Sequence, residues 1–337
     1  MRKKTRDMLI GLKRALGVNF KQKSSIIYSQ QISYVLLYLQ FIEKTKHQGK
    51  VSCEKIRKIC KSYFSIDNFD LTENEVALIS NTLMKLDFLE DSLFEDIYEI
   101  FTDHTYKQKC GQFFTPENVS EMMVDMVIKG NEKVILDTAS GMGTFLIAAG
   151  NKIHDIKHTL LIGFEKDTVL ANISDIRLKY RFGKQNYVVC RDALEKHGYE
   201  IHPDVILSNP PYGTIINGEL SEIAFIKENM KILKENGIMA IILPDGIYGN
   251  TKTTNLRDWL LNTGKILAII DLPVETFMPY TNVKTSMMLI QKGKFERNYN
   301  IFMAISENCG HDKRGRTIPG CDFGQIALSY KEWLKNN

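Results

Sequence analysis

The chain has 337 residues, 44% of them hydrophobic and 25% charged, with a net charge of +4 at pH 7. This is the composition of an ordinary soluble globular protein, long enough for one large domain and a smaller one, each with a buried core. Cys53, Cys60, Cys110, Cys190, Cys309 and Cys321 show no Cys-x-x-Cys pairing or regular spacing, which argues against a disulfide framework or a cysteine zinc site. His154 and His158 lie four apart, but no glutamate follows His154, so no metal site is expected there. No apolar run approaches a membrane span and the charged start lacks a signal-peptide core, so a cytoplasmic setting is expected.

Near the N-terminus, Arg2, Lys3, Lys4, Arg6, Lys13, Arg14, Lys21 and Lys23 are opposed only by Asp7. They read as a basic arm, either solvated or touching a phosphate backbone. Residues 1–104 as a whole read as a small all-helical domain. Ile32, Val35, Leu36, Leu39 and Ile42 fall at helical spacing, as do Leu83, Leu86, Leu89 and Phe94 more loosely. Ser65 to Asn74 carries turn formers and acids and predicts a break between helices.

From Lys133 onward the texture changes. Short runs rich in β-branched residues appear at Val134–Asp137, Leu160–Glu165, Tyr187–Asp192, Val205–Asn209, Gly237–Pro244, Ile266–Pro273 and Thr285–Gln291. Between them lie helical segments such as Val169–Arg181 and Glu222–Lys234. Alternating strands and helices predict an α/β domain over 105–295, with a mostly parallel seven-stranded sheet covered on both faces. Residues 296–337 read as a C-terminal extension. Its polar stretch from Asn308 to Gly320, with Lys313, Arg314 and Arg316, predicts a surface loop or a partner-contacting arm.

Parallel sheets bind ligands at the carboxyl ends of their strands, and the unusual residues fall there. The first strand leads into Asp137-Thr138-Ala139-Ser140-Gly141-Met142-Gly143-Thr144-Phe145. Gly141 and Gly143 let the backbone turn tightly and approach a ligand. Such a Gly-x-Gly by itself suits a nicotinamide cofactor, a flavin or a plain turn. Here Leu146 occupies the last position of the full dinucleotide pattern, and Asp137 would repel a pyrophosphate but attract an ammonium group. Glu165 ends the second strand at the distance where an acid accepts from ribose hydroxyls. Asp192 ends the third and could accept from an adenine amino group, with Ala193 beside the ring. Three acids at three successive strand ends suit a nucleoside that carries an amino acid and a sulfonium, S-adenosylmethionine.

The fourth strand ends in Leu207-Ser208-Asn209-Pro210-Pro211-Tyr212-Gly213. Neither proline can continue a sheet ladder, so the chain turns a rigid corner. Methyl transfer to an sp2 amine needs its lone pair freed from the ring. The Asn209 amide oxygen and the Pro210 carbonyl can each accept one amine hydrogen and aim the nitrogen. Pro211 stiffens the corner, and the Tyr212 ring can stack on a planar base.

With these residues in place, the sequence resembles the S-adenosylmethionine-dependent N6-adenine DNA methyltransferases. Within them it resembles the modification subunits of type I restriction-modification systems. Asn209-Pro210-Pro211-Tyr212 matches the catalytic signature, a short motif shared with RNA-adenine and protein-glutamine methyltransferases. Gly111-Gln112-Phe113-Phe114-Thr115-Pro116, Leu243-Pro244-Asp245-Gly246, and Pro279-Tyr280 through Thr285 match the subfamily more closely. The similarity runs from about Gln31 to Arg316, although Thr138, Ser140 and Thr144 stand where the family has Pro, Cys and Gly. The chain is also shorter than typical members.

The resemblance implies a Rossmann-like methyltransferase fold and S-adenosylmethionine as cofactor. The cofactor would be held by Gln112, Phe113, Phe114, Thr115, Pro116, Asp137, Ala139, Gly141, Gly143, Thr144, Phe145, Glu165, Asp192, Ala193 and Asn209. Asn209 through Tyr212 would be catalytic, with Tyr212 and Tyr280 on the two faces of a flipped adenine and no metal. The implied partners are double-stranded DNA and a separate specificity subunit, with a restriction subunit or a homodimer as further options. An RNA-adenine or protein-glutamine methyltransferase, or a non-catalytic cofactor-binding scaffold, stays open beside this reading.

Overall fold

The computed structural model describes residues 2–17, 25–45, 51–64, 69–90, 92–102, 114–195, 201–278, 280–296 and 298–336. The chain divides into two compact units, Met1–Cys110 and Gly111–Asn337.

The first unit is helical, with helices Arg2–Leu16, Ser25–Thr45, Cys53–Phe64, Glu73–Leu83 and Ser92–Phe101. Over residues 2–16 the basic N-terminal stretch corrects the expectation of an arm, while Lys21 and Lys23 lie outside the described residues. Residues 2–16 form an amphipathic helix that buries Leu9, Leu12 and Leu16. Its basic face is partly used: Arg6 makes a two-pronged ion pair with Glu99 at 2.8 and 2.9 Å, and Lys13 donates to the Ile100 carbonyl at 2.6 Å. Ile32, Val35, Leu36 and Leu39 are all buried on one helix.

The looser series from Leu83 to Phe94 is not one helix. The chain leaves its helix after Leu83, turns through Met84 to Leu89, and starts again at Ser92. The end of the predicted break is set by a capping box. The Thr72 hydroxyl accepts from the Glu75 N–H while Glu75 accepts from the Thr72 N–H, satisfying donors that a helix start otherwise leaves bare. Residues 65–68 of that break lie outside the described residues.

In the second unit, β1 (Val134–Asp137), β2 (Leu160–Glu165), β3 (Tyr187–Cys190), β4 (Val205–Ser208), β7 (Ile238–Pro244), β8 (Gly264–Asp271), β9 (Thr285–Lys292) and β10 (Phe302–Ile305) form one sheet. A two-residue hairpin, β5 (Ile215–Ile216) with β6 (Glu219–Leu220), stands apart. The sheet order is β10-β8-β9-β7-β4-β1-β2-β3. Only β9 runs against its neighbours, pairing antiparallel with β7 and β8.

The eighth strand corrects the expected seven. β10 pairs parallel with β8, so residues set apart above as an extension build the sheet's edge. Phe302 packs its ring against Tyr330 and Trp333 of the closing helix Phe323–Asn336, at centroid distances of 5.4 and 5.9 Å. Met303 and Ile305, on the opposite face, stay 71% and 73% exposed. A short edge strand with one uncovered face lacks the continuous burial that marks its central neighbours.

The apolar residues of the central strands are buried on both faces of the sheet. Ile135, Leu207, Ala240 and Leu289 face a core closed by helices Glu117–Val127, Thr144–Lys152 and Phe323–Asn336. Leu136, Ile206, Ile241 and Met288 face another closed by helices Ser221–Ile232 and Thr254–Thr263. The chain runs outward through β1, β2 and β3, then returns to place β4 on the other side of β1. This reversal opens a crevice above the carboxyl ends of β1 and β4.

Candidate active site

Asp137 closes β1 and is fully buried. Its Oδ1 accepts from the Ala139 N–H at 3.1 Å, while Oδ2 has no hydrogen-bond partner among the described residues. Burial pushes its carboxyl up to about 8, and the nearby Glu165 charge adds to that, against the opposing Ala139 N–H. A buried carboxylate oxygen without a donor is costly unless a cation meets it.

The loop beyond Asp137 is tightly held. Gly141 and Gly143 have φ of +49° and +81°, where an ordinary side chain is strained. A Cβ on Gly143 would come within 2.5 Å of the Ser174 hydroxyl, so that glycine is also required by packing. A Cβ on Gly141 would meet nothing within 4 Å, which leaves its surface open to a ligand. Arg177, buried beneath the loop, donates to the Met142 carbonyl at 2.5 Å. Thr144 opens the next helix, whereas the Phe145 ring is buried in the core and leaves only its backbone for a ligand.

Glu165, at the end of β2, spans the glycine loop and the following turn. Oε2 accepts from the Gly141 N–H and Oε1 from the Asp167 N–H, both at 2.8 Å. Burial raises its carboxyl above the usual range despite those donors. Asp192, just past β3, accepts from Lys166 at 2.9 Å and from the Leu194 N–H at 3.0 Å. Burial opposes its charge, but those partners prevail and hold it below the usual carboxylate range. Ala193 is buried beside it.

The Pro-Pro corner leaves β4 beside this loop. The Thr138 and Ser208 hydroxyls hydrogen-bond at 2.9 Å and tie the start of the glycine loop to the last residue of β4. Asn209 then donates through Nδ2 to the Thr115 hydroxyl at 3.0 Å, and its Oδ1 accepts from the Tyr212 hydroxyl. No described residue donates to the Pro210 carbonyl. The Pro211 carbonyl accepts from Ser221 at 2.8 Å, and Glu222 accepts from the Gly213 N–H at 3.1 Å, which fixes the far side of the corner. Burial, with Tyr248 and Glu222 nearby, keeps the Tyr212 phenol protonated far above its ordinary range.

Thr115 and Pro116 immediately precede helix Glu117–Val127, and Phe114 is half-exposed before them. Gln112 and Phe113 lie outside the described residues. Tyr280 is 40% exposed in a turn where its N–H donates to the Phe277 carbonyl at 3.0 Å. Ser208, Arg177 and Tyr248 join the site without having been singled out in the sequence, and Thr138 joins it after being noted there only as a departure from the family. Thr138 and Ser208 each flank a motif, but nothing local announces that they meet. No group of three or more metal-ligating side chains with suitable placement occurs among the described residues.

The crevice fits a cofactor with a cationic end. The orphaned Asp137 Oδ2 would take an ammonium, the open Gly141 surface admits close approach, and acids follow at the ends of the next two strands. The sequence profile of the family described as N-6 DNA Methylase matches residues 89–337. The chain is 28% identical to the methylase subunit of the type I restriction enzyme EcoEI from Escherichia coli, over 70% of this chain and 54% of that protein. It is 24% identical to the methylase subunit of the type I restriction enzyme MpnII from Mycoplasma pneumoniae, over 88% and 59%. The chain thus spans little more than half the length of these relatives. A solved methyltransferase subunit of a type I restriction-modification system from Streptococcus thermophilus superposes with a TM-score of 0.63 at 21% identity, covering 83% of this chain and 68% of that one. That likeness is one of fold.

Proposed function

The chain belongs to the N-6 DNA Methylase family, and on that premise we propose that it methylates adenine N6 in double-stranded DNA as the modification subunit of a type I-like restriction-modification system. S-adenosylmethionine is the cofactor and supplies, when bound, an electrophilic methyl group. Asp137 would hold its ammonium and Glu165 its ribose hydroxyls, with Asp192 and Ala193 at its adenine. Gly141, Gly143 and Thr144 shape the floor, and Phe114 and Pro116 border the amino-acid end.

The residues at the Pro-Pro corner handle the target base. Asn209 Oδ1 and the Pro210 carbonyl each accept one hydrogen of the exocyclic amine. This removes the amine's conjugation with the ring and turns the nitrogen lone pair toward the methyl group. The Tyr212 ring stacks on a base drawn out of the duplex, and Tyr280 covers its other face. The observation that carries this reading is the junction at the β1/β4 crevice. The buried Asp137 carboxyl oxygen without a donor ends β1, the unfilled Pro210 carbonyl lies two residues beyond β4, and the Thr138–Ser208 hydrogen bond joins the two neighbouring strand ends.

Sequence choice would come from a separate specificity subunit, as the resemblance to type I modification subunits implies. The reading places the reaction in the cytoplasm, with the DNA; no helix among the described residues is long and apolar enough to cross a membrane. At the carboxyl rim of the sheet, the hairpin closed by His311 and Thr317 exposes Lys313 and Arg314, while Arg316 is paired with Asp312. That charge suits the phosphate backbone of the same DNA.

The test is plasmid DNA from cells carrying this chain with and without its specificity partner, digested to nucleosides and analysed by mass spectrometry. N6-methyladenine at one recurring sequence, dependent on the partner, is the expected result. Methyl groups found only in RNA or on protein glutamine, or none anywhere with cofactor bound, would overturn the reading.

A further inference from the structure

Beyond the Pro-Pro corner the chain makes the small hairpin of β5 and β6 before helix Ser221–Ile232 begins. At its turn Asn217 and Gly218 have φ of +52° and +83°, the two positive values that the tightest hairpin turn demands. A hairpin with two residues per strand is not stable alone, and this one is fastened at its base. The Ser221 N–H donates to the Thr214 carbonyl at 2.7 Å, the Ser221 hydroxyl to the Pro211 carbonyl at 2.8 Å, and the Gly213 N–H to Glu222 at 3.1 Å. The hairpin and the corner that carries Asn209 and Tyr212 are therefore one braced piece.

The two faces of the hairpin differ. Ile216 and Glu219 are register partners on one face, and Glu219 is ion-paired with Lys227 of the following helix. Ile215 lies on the other face and is 72% exposed. A lone exposed isoleucine is ordinary on a protein surface. This one stands on a braced projection three residues from Tyr212, hence within about 11 Å of it along the chain. Residues 213–218 carry no charge, and the first acid after them, Glu219, is neutralised by Lys227, so the tip offers no bare carboxylate to a phosphate backbone.

The reaction proposed above needs its adenine out of the duplex. Extrusion breaks the stacking on both faces of the base and leaves a hole, and that cost has to be offset. Apolar side chains inserted between bases do this in proteins that open or kink DNA. Such a wedge must be apolar, stiffly held, and close to the pocket, because the extruded base stays tethered to its own sugar. Ile215 meets all three conditions. We propose that Ile215 enters the duplex as the target adenine leaves and fills the space vacated in the stack. The proposal rests on the adenine-methylation reading and adds to it the residue that keeps the base out.

The test uses the complex with its specificity subunit and a duplex bearing the sequence that the complex methylates. In one set of duplexes 2-aminopurine, which brightens on leaving the stack, replaces the target adenine; in another the adenine is kept and single-turnover transfer is timed. Ile215→Ala is expected to diminish the fluorescence rise and to slow transfer about 10–50-fold, the effect of losing most of the burial of three carbon atoms. Ile215→Ser should lose as much, and Ile215→Leu, which can still fill the hole, should stay near wild type. The loss in Ile215→Ala should shrink strongly when the target adenine faces an abasic site, where extrusion is already cheap. Calorimetric affinity for S-adenosylmethionine and assembly with the specificity subunit should not change.

A wild-type rate and fluorescence rise in both Ile215→Ala and Ile215→Ser would overturn the proposal. So would an equal loss on paired and unpaired adenine. Release of the specificity subunit from Ile215→Ala on size-exclusion chromatography would also overturn it, since Ile215 would then be a protein contact. If the wild-type complex methylates adenine and the variants match it, only the wedge fails. If the wild-type complex leaves adenine unmethylated, the reaction reading fails and the wedge with it.

Discussion

The two halves of the crevice are prepared in opposite ways. On the β1 side, Asp137 is buried with one carboxylate oxygen unpartnered and its carboxyl pushed up to about 8. On the β4 side, Asn209 is satisfied at both ends by the protein itself, through Thr115 and Tyr212. The first half holds a carboxyl that burial keeps protonated, and a cationic ligand would favour its ionised form. The second is at rest, and an incoming amine must exchange one hydrogen bond for another. The cofactor side thus gains binding energy from an unmet need, whereas the acceptor side gains geometric control from a bond it already makes.

The largest effect expected from this contrast is on rate. Asn209→Ala removes an acceptor that matters most as the amine gains positive charge, and losing one such group typically costs about 10²–10³ in rate. Cofactor affinity should barely change, because Asn209 is expected to contact the cofactor only peripherally.

A smaller effect is expected on binding and on pH dependence. Asp137→Asn should weaken S-adenosylmethionine by about 1.5–3 kcal/mol, the value of one hydrogen bond to a charged group. The pH effect has a definite sign. Between about 4 and 8 the folded protein keeps Asp137 protonated while the unfolded chain does not, so the native state binds more protons. The cofactor-free protein should therefore lose stability as pH rises across that window, with no further contribution from this group above it. Thermal melts at several pH values should show that slope in wild type and a flatter one in Asp137→Asn.

The smallest effect belongs to the Tyr212 hydroxyl. Tyr212→Phe keeps the ring for stacking but removes the donor that the amine must displace from Asn209. Base capture should hold or tighten by about 1 kcal/mol or less, measured as the DNA concentration giving half-maximal single-turnover rate. A clear weakening would mean that the phenol assists the base rather than giving way to it.

Much of this was legible in the sequence, and the exceptions lie at a half-covered edge strand and in contacts between loops distant in sequence. The seven foreseen strands fall within two residues of their observed ends: six are interior to the sheet and carry the apolar runs that burial on both faces needs, and the edge strand Tyr187–Cys190 keeps a β-branched pair at Val188 and Val189. The edge strand Phe302–Ile305 lacks that signature, with Met303 and Ile305 left exposed. Asp137, Glu165, Asp192 and Asn209 could be read because each ends a strand or lies within two residues of its end, and a parallel sheet gathers such positions on one side. The Thr115–Asn209 and Thr138–Ser208 bonds could not, because they span 94 and 70 residues and depend on how loops settle above the sheet. Phe145, which the resemblance gives to the cofactor, has its ring buried beneath the helix it helps to start, leaving its backbone for that role.

Cofactor affinity and single-turnover transfer to adenine, measured on Asn209→Ala and Asp137→Asn in the same complex, test the division of labour most directly. The account predicts a crossed result. Asn209→Ala loses rate and keeps affinity, while Asp137→Asn loses affinity and recovers a near-wild-type rate at saturating cofactor. Wild-type transfer by Asn209→Ala would contradict it.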